Sequence, residues 1–336
     1  MTAPSAALWD EVVGLLAGAR QVALACHVGP DGDALGSMLA LGAGLRRRGV
    51  EVVASWGGAP FEVPAAYSFL TAVDLLVSPA DFPPAPELLV TLDTGSPDRL
   101  GSLADRVERA GCTVVIDHHA NGVAYGDLRL VDDRAAATVV LVAELLDRLD
   151  VELDAETAAP LYTGLVTDTG SFKYLATTPA VHELAARLLA TGIRHDLISR
   201  AIYDTAPFGY VQLLGRACGR AQLESGAVGG LGLVWTVIEP ADYDGTGLGL
   251  ADVEGVIDVL RVSAEAEVAL VLKADPVEGG WKASTRSKGA IDVGAVCGLL
   301  GGGGHRFAAG FSASGDAETV IGQVRDALAR APHLAP

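Results

Sequence analysis

Apolar positions in the first half of the chain come in short unbroken runs, separated by stretches with helical spacing. QVALAC, Gln21 to Cys26, reads as a buried strand, and Asp33 to Arg48 as a helix. VEVVAS, ELLVTLD and CTVVID read as further strands, with a helical segment from Asp98 to Ala110 before the last. Strands alternating with helices predict an α/β arrangement, a parallel sheet covered by helices. The opening MTAPSAALWDEVVGLLAGAR has the pattern of an amphipathic helix. Asp10, Glu11 and the lack of a basic start set it apart from a signal peptide.

From Ala135 to Arg200 the spacing is helical, interrupted between Thr163 and Phe172. Farther on, GLGLVWTVI, AEVALVLKAD and WKASTRS read as strands, and Val320 to Arg330 as a closing helix. The expected organisation is a parallel-sheet domain over residues 1–190, a linker over 191–210 and a smaller α+β domain over 211–336. A chain of 336 residues has material for two such cores.

Composition narrows the partners. Half of the residues are hydrophobic, which excludes general disorder. Acidic residues outnumber basic ones 42 to 24, a formal net charge of -18. Duplex DNA is therefore not an expected partner, because its binding rests on many Lys and Arg contacts to phosphate. No basic run suits an anionic membrane surface, and no stretch has the apolar length of a membrane span. An anionic ligand must then be held by metals or by a few placed arginines. Cys26, Cys112, Cys218 and Cys297 are far apart and form no CxxC pair, so they are expected as buried thiols of a cytoplasmic protein.

The acidic and imidazole side chains worth noticing stand where the apolar runs end, the usual ligand side of an open parallel sheet. HVGPDGDALGS puts His27, Asp31 and Asp33 just after the first strand, a donor set suited to hard or borderline divalent metals. Asp-Gly-Asp by itself is a common surface turn. LDTG places Asp93 at the end of another strand, where a helix cap would be an ordinary use for it. VVIDHHANG brings Asp117, His118 and His119, and GLVTDTGSF brings Asp168 after an apolar helix. Three of the seven histidines fall within these segments, which makes chance assembly a poor account.

HVGPDGDALGS, LDTG, IDHH and TDTGSF, in that order, resemble the four motifs of DHH phosphoesterases. That group includes RecJ-type exonucleases, manganese-dependent family II pyrophosphatases and small bifunctional oligoribonucleases. STRSKGAIDVGAVCGLLGGGGHRFAAG resembles the DHHA1 substrate domain, so the likeness spans nearly the whole chain. Gly29 stands where the family often has Asn or Ser, and leaves the spacing of His27, Asp31 and Asp33 intact.

The resemblance implies two divalent ions, manganese foremost, with magnesium or cobalt as alternatives. His27 and Asp31 would hold one ion, Asp33, His118 and Asp168 the other, and Asp93 would bridge them. Asp117 is a candidate to fix the His118 imidazole by hydrogen bonding. His119 is assigned a catalytic role beside Asp93, as a donor to phosphate or to the leaving oxygen. Gly302, Gly303, Gly304 and His305 would form an anion-binding nest of backbone N–H groups, and Arg286 a bidentate phosphate contact. The implied activity is hydrolysis of short oligoribonucleotides such as pApA to 5′-mononucleotides, and of 3′-phosphoadenosine 5′-phosphate to AMP, by a homodimer. Cyclic di-AMP phosphodiesterase activity is the close alternative. A RecJ-like exonuclease is disfavoured by the charge and by the lack of room for a further domain. A family II pyrophosphatase is disfavoured by the GGGGH element, and a non-catalytic nucleotide-binding regulator by the complete ligand set.

Overall fold

The computed structural model describes residues 3–119, 122–277 and 279–334. The chain forms two compact units, Met1–Thr205 and Ala206–Pro336.

In the first unit the order is α1 (Ala6–Gly18), β1 (Gln21–Cys26), α2 (Gly32–Arg47), β2 (Glu51–Trp56), β3 (Leu88–Leu92), α3 (Arg106–Arg109), β4 (Cys112–Asp117) and β5 (Leu128–Val131). Helices α4 (Thr138–Arg148), α5 (Ala155–Asp168), α6 (Pro179–Ala190) and α7 (His195–Tyr203) follow. The five strands pair in parallel in the order β2-β1-β3-β4-β5. Alternation explains why β1 is apolar from Val22 to Cys26. Val22, Leu24 and Cys26 join the large core with α2, α4 and α5, while Ala23 and Ala25 face a smaller core with Phe82, Leu89, Leu100 and Leu103.

Several expectations need correction here. The segment Asp98–Ala110 is not one helix. It holds a 3-10 turn at Pro97–Leu100 and the short α3, broken where Gly101 takes φ 60°. The interruption expected from Thr163 is absent, because α5 runs on to Asp168, and the break comes at Gly170–Phe172. Strand β5, too short to signal itself, extends the sheet beyond β4. The expected linker 191–210 contains α7, whose Ile198 is buried in the first unit's core, so the division falls at Thr205/Ala206.

The second unit contains α8 (Phe208–Gly219), β6 (Gln222–Glu224), β7 (Leu233–Ile238), α9 (Pro240–Tyr243), α10 (Val256–Leu260), β8 (Val268–Ala274), β9 (Trp281–Ser287), α11 (Val293–Leu299), β10 (Gly303–His305), β11 (Ala308–Ala313) and α12 (Ala317–Arg330). Its six strands form a mixed sheet in the order β10-β11-β9-β8-β7-β6, parallel only between β7 and β8. One face packs Leu270, Leu272 and Phe311 under α11 and α12. The other face sets Ala269 and Val271 against α8 and α10. Among the described residues, no helix is long and apolar enough to cross a membrane.

Candidate metal centre

The strand order reverses between β1 and β3, which opens a crevice at their carboxyl ends. His27 follows β1, Asp93 follows β3 and Asp117 closes β4 with His118 and His119 after it, so three motifs reach this edge on neighbouring strands. Asp93 occupies a left-handed backbone conformation, φ 53°, held by its N–H donating to the Ile116 carbonyl. A non-glycine residue kept there marks a site where local strain is accepted for placement.

Helices supply the rest. Asp31 caps α2, its Oδ1 accepting from the N–H groups of Asp33 and Ala34. Asp33 is fully buried, and its carboxylate accepts the Thr138 N–H at 2.6 Å and the Val139 N–H at 2.9 Å, at the start of α4. That helix end welcomes negative charge. Asp168 ends α5 and lies 3.1 Å from His118 Nε2. Close approach of α2 and α5 depends on glycine: a Cβ on Gly36 would stand 2.4 Å from the Pro160 carbonyl oxygen, and one on Gly164 would stand 2.8 Å from Asp33 Oδ1.

Three groups of metal-ligating atoms result in this unit: Asp93 with Asp117 and His119, and the two candidate ion sites, His27 with Asp31 and Asp93, and Asp33 with His118 and Asp168. Within each, the atoms lie within 4.8 Å of one another. Asp93 faces both candidate ion sites. Its Oδ2 is 3.5 Å from His27 Nε2, and its Oδ1 is 3.6 Å from His118 Nε2. Thr138 donates its hydroxyl to Asp93 Oδ1 at 3.0 Å, which fixes the carboxylate plane.

The imidazoles are oriented by backbone carbonyls. His27 Nδ1 is 2.9 Å from the Val28 oxygen, and His118 Nδ1 is 3.1 Å from the Ala135 oxygen. A carbonyl can only accept, so each Nδ1 carries hydrogen and each Nε2 is turned to the carboxylates. Asp117 therefore does not orient the His118 ring as expected. Its Oδ1 accepts from the backbone of His118 and His119 and from His119 Nδ1 at 2.7 Å, so the ring it fixes is that of His119.

The donor set fits a divalent cation. His27 Nε2 is buried without a hydrogen bond and looks onto Asp93 Oδ2 and, at 3.8 Å, Asp31 Oδ2. A lone pair aimed at two carboxylate oxygens is costly unless a proton or a cation lies among them. In the metal-free chain protons serve. Burial pushes the Asp168 carboxyl up to about 6 against the opposing pull of His118. Asp33 is raised well above its ordinary range by burial and then by Asp168 and Asp93. Burial alone would raise Asp93, but His27, His119 and His118 hold it well below the usual carboxylate range. Burial opposes charge on His118, and Asp168, Asp33 and Asp93 outweigh it to raise that ring's pKa. Metal binding would exchange such protons for cations.

Thr138 and the carbonyls of Val28 and Ala135 went unmarked in the sequence reading. A single threonine at the start of a helical stretch is unremarkable, and backbone groups leave no sequence signal. Burial raises the pKa of the Tyr67 hydroxyl, and Asp31, Tyr203 and Asp168 add to the shift.

Within the second unit, the candidates lie toward the edge of its mixed sheet. His305, Ala308 and Arg286 stand in one transverse row across β10, β11 and β9, so Arg286 and His305 share a face with a small residue between them. No nest forms. The N–H groups of Gly301 and Gly302 close α11 on the Gly298 and Cys297 carbonyls, and Gly303 and Gly304 pair with β11 as an exposed edge strand. Gly302 is needed there, since a Cβ would stand 2.1 Å from the Gly310 oxygen.

The DHH family, N-terminal domain, matches residues 21–165. The bifunctional oligoribonuclease and PAP phosphatase NrnA of Thermus thermophilus is 34% identical over 93% of this chain and 91% of its own length. An exopolyphosphatase-related protein from Bacteroides fragilis has the same fold, with a TM-score of 0.85 at 22% identity over 96% of both chains. RecJ in complex with Mn2+ from Thermus thermophilus matches with a TM-score of 0.56 at 16% identity, over 97% of this chain and 55% of RecJ. With its four motifs gathered at the carboxyl ends of β1, β3 and β4 and the last turn of α5, the chain belongs to the DHH family of phosphoesterases.

Proposed function

We propose that the chain is a two-metal phosphoesterase that hydrolyses short oligoribonucleotides such as pApA to 5′-mononucleotides, and 3′-phosphoadenosine 5′-phosphate to AMP. The observation that carries the two-metal reading is Asp93, whose two oxygens face different histidines 3.5 and 3.6 Å away. The substrate class is supported by the name of the Thermus relative, 34% identical over nearly the full length of both chains.

His27 and Asp31 would hold one ion, Asp33, His118 and Asp168 the other, and Asp93 would serve both. Mixed imidazole and carboxylate donors suit a hard or borderline divalent ion, with manganese foremost from the family resemblance and magnesium or cobalt as alternatives. When bound, the ions supply Lewis-acid neutralisation of the phosphoryl group and lower the pKa of water. Asp93 is held ready by Thr138, and His27 and His118 by their carbonyl partners, so little reorganises on binding. His119, whose Nδ1 lies 2.7 Å from Asp117 Oδ1, would donate a proton to the departing oxygen. Arg286 and His305 would contact a phosphate of the substrate.

The test is one assay panel with manganese: pApA, 3′-phosphoadenosine 5′-phosphate, cyclic di-AMP, pyrophosphate and RNA of two to twenty nucleotides. Turnover is expected to fall steeply beyond a few nucleotides, since a chain of net charge -18 offers no basic track. A rate constant or rising with length would overturn the reading in favour of a RecJ-like activity. Preference for the cyclic dinucleotide would move it to a cyclic di-AMP phosphodiesterase.

A further inference from the structure

On the sheet face that carries Arg286, a second polar cluster lies two residues along β9. Ser284, Gly310 and Gly303 form the row next to Arg286, Ala308 and His305. Lys273 of β8 projects on the same face with only 3% of its side chain exposed, and its ammonium forms an ion pair with Glu254 and donates to Ser284 Oγ at 2.8 Å. Ser284 Oγ donates in turn to Glu254 Oε2 at 3.2 Å, while Glu254 itself is 56% exposed. One turn along the chain, Asp258 approaches Arg286 Nε at 4.0 Å.

Burying an ammonium to hold a surface carboxylate is a poor way to gain stability, since an apolar side chain of similar volume commonly does as well or better. What the arrangement achieves is a fixed Glu254 rotamer. Lys273 and Ser284 take one lone pair on each carboxylate oxygen, and the other two remain available on the exposed side. The neighbouring Gly303 and Gly310 carry no side chains over this strip, and a Cβ on Gly303 would meet nothing within 4 Å. The step from the Arg286 row to the Ser284 row is about 7 Å along the strand. That span matches the distance from a 5′-phosphate to the hydroxyls of its own ribose, which are donors with a geometry a fixed carboxylate can accept.

We propose that Glu254 and Ser284, anchored by Lys273, form a ribose-reading site that accepts hydrogen bonds from the 2′- and 3′-hydroxyls of a nucleotide whose phosphate lies at Arg286. This assignment rests on the nucleotide substrate proposed above and adds a sugar-specificity element to it. The 2′-hydroxyl is the group by which a protein distinguishes RNA from DNA at a given position.

The experiment compares wild type with Glu254→Gln, Ser284→Ala and Lys273→Met in two arms. One arm measures kcat/KM for pApA and its 2′-deoxy counterpart with manganese. The other measures calorimetric binding of AMP and of 2′-deoxyadenosine 5′-monophosphate. Wild type should favour the ribose form by about tenfold or more in both arms, the scale of one hydrogen bond to a charged group. In Glu254→Gln the ratio should fall toward one. Lys273→Met should lower the ratio while the melting temperature holds or rises, which separates positioning of Glu254 from support of the fold. A wild-type ratio near one, or an unchanged ratio in Glu254→Gln, would overturn the assignment. If wild type cleaves neither dinucleotide, the proposed activity falls, and the calorimetric ratio alone decides the role of Glu254.

Discussion

Gly164 joins the packing of α5 to the metal-site geometry, and Gly164→Ala is a sharp perturbation of both. Its added Cβ would stand 2.5 Å from Val139 Cγ1, 2.8 Å from Asp33 Oδ1 and 3.0 Å from Asp33 Cα. None of these neighbours is the loose end of a flexible chain. Val139 is β-branched and fully buried, and Asp33 is clamped by two N–H groups of α4. Either α5 retreats or Asp33 leaves the helix end. Overpacking of this kind costs about 1–3 kcal/mol. For a unit of this size that is a fall of about 2–12 °C in the melting temperature of the metal-free protein. Gly36→Ala is the matched control. It strains the same helix pair, but its Cβ meets the Pro160 carbonyl at 2.4 Å, and its three nearest atoms are all backbone. Both variants should melt early in EDTA, followed by circular dichroism. Only Gly164→Ala should lose about 10–100-fold in manganese affinity, the usual effect of disturbing what orients a ligand. Equal affinity losses in the two variants, or wild-type affinity in a destabilised Gly164→Ala, would refute the coupling of Asp33 to the α2–α5 contact.

Asp93→Ala should abolish turnover of every substrate together with retained circular dichroism, because it removes a carboxylate that faces both His27 and His118. Appreciable activity on any of them would show that Asp93 does not serve both ions. Thr138→Val keeps shape and removes the hydroxyl that orients Asp93, and should cost about 10–100-fold in metal affinity or activity, read by titration with manganese. The pH dependence follows from Asp168, raised by burial from 3.8 to about 6. A carboxyl raised in the folded state favours folding when protonated, so the metal-free protein should lose this contribution as pH rises through about 6. Metal uptake has the opposite sign, weakening as pH falls through the same window, since the ion must displace the proton. Melting curves with EDTA and with manganese between pH 5 and 8 check both signs.

The sequence alone determined the parallel sheet and the identity of the candidate ligands. β1 and β4 are legible because both faces of a parallel strand are covered, so its residues are apolar in a nearly unbroken run, as in Val22–Cys26. The aspartates and histidines stand out because charge at the end of such a run has few structural uses. Asp98–Ala110 could not be resolved, since helical spacing persists across Gly101 while a positive φ breaks the helix. The glycine patch was misread for a related reason: a run of glycines permits a nest and an edge strand equally, and only pairing with β11 selects the strand. Tertiary structure alone decided which partner orients each side chain. Thr138 reaches Asp93 across 45 residues, Asp33 caps α4 across 105, and the Ala135 carbonyl, not Asp117, fixes His118. Such contacts depend on where elements pack in space, and a backbone carbonyl or a lone threonine carries no periodicity from which the packing could be read.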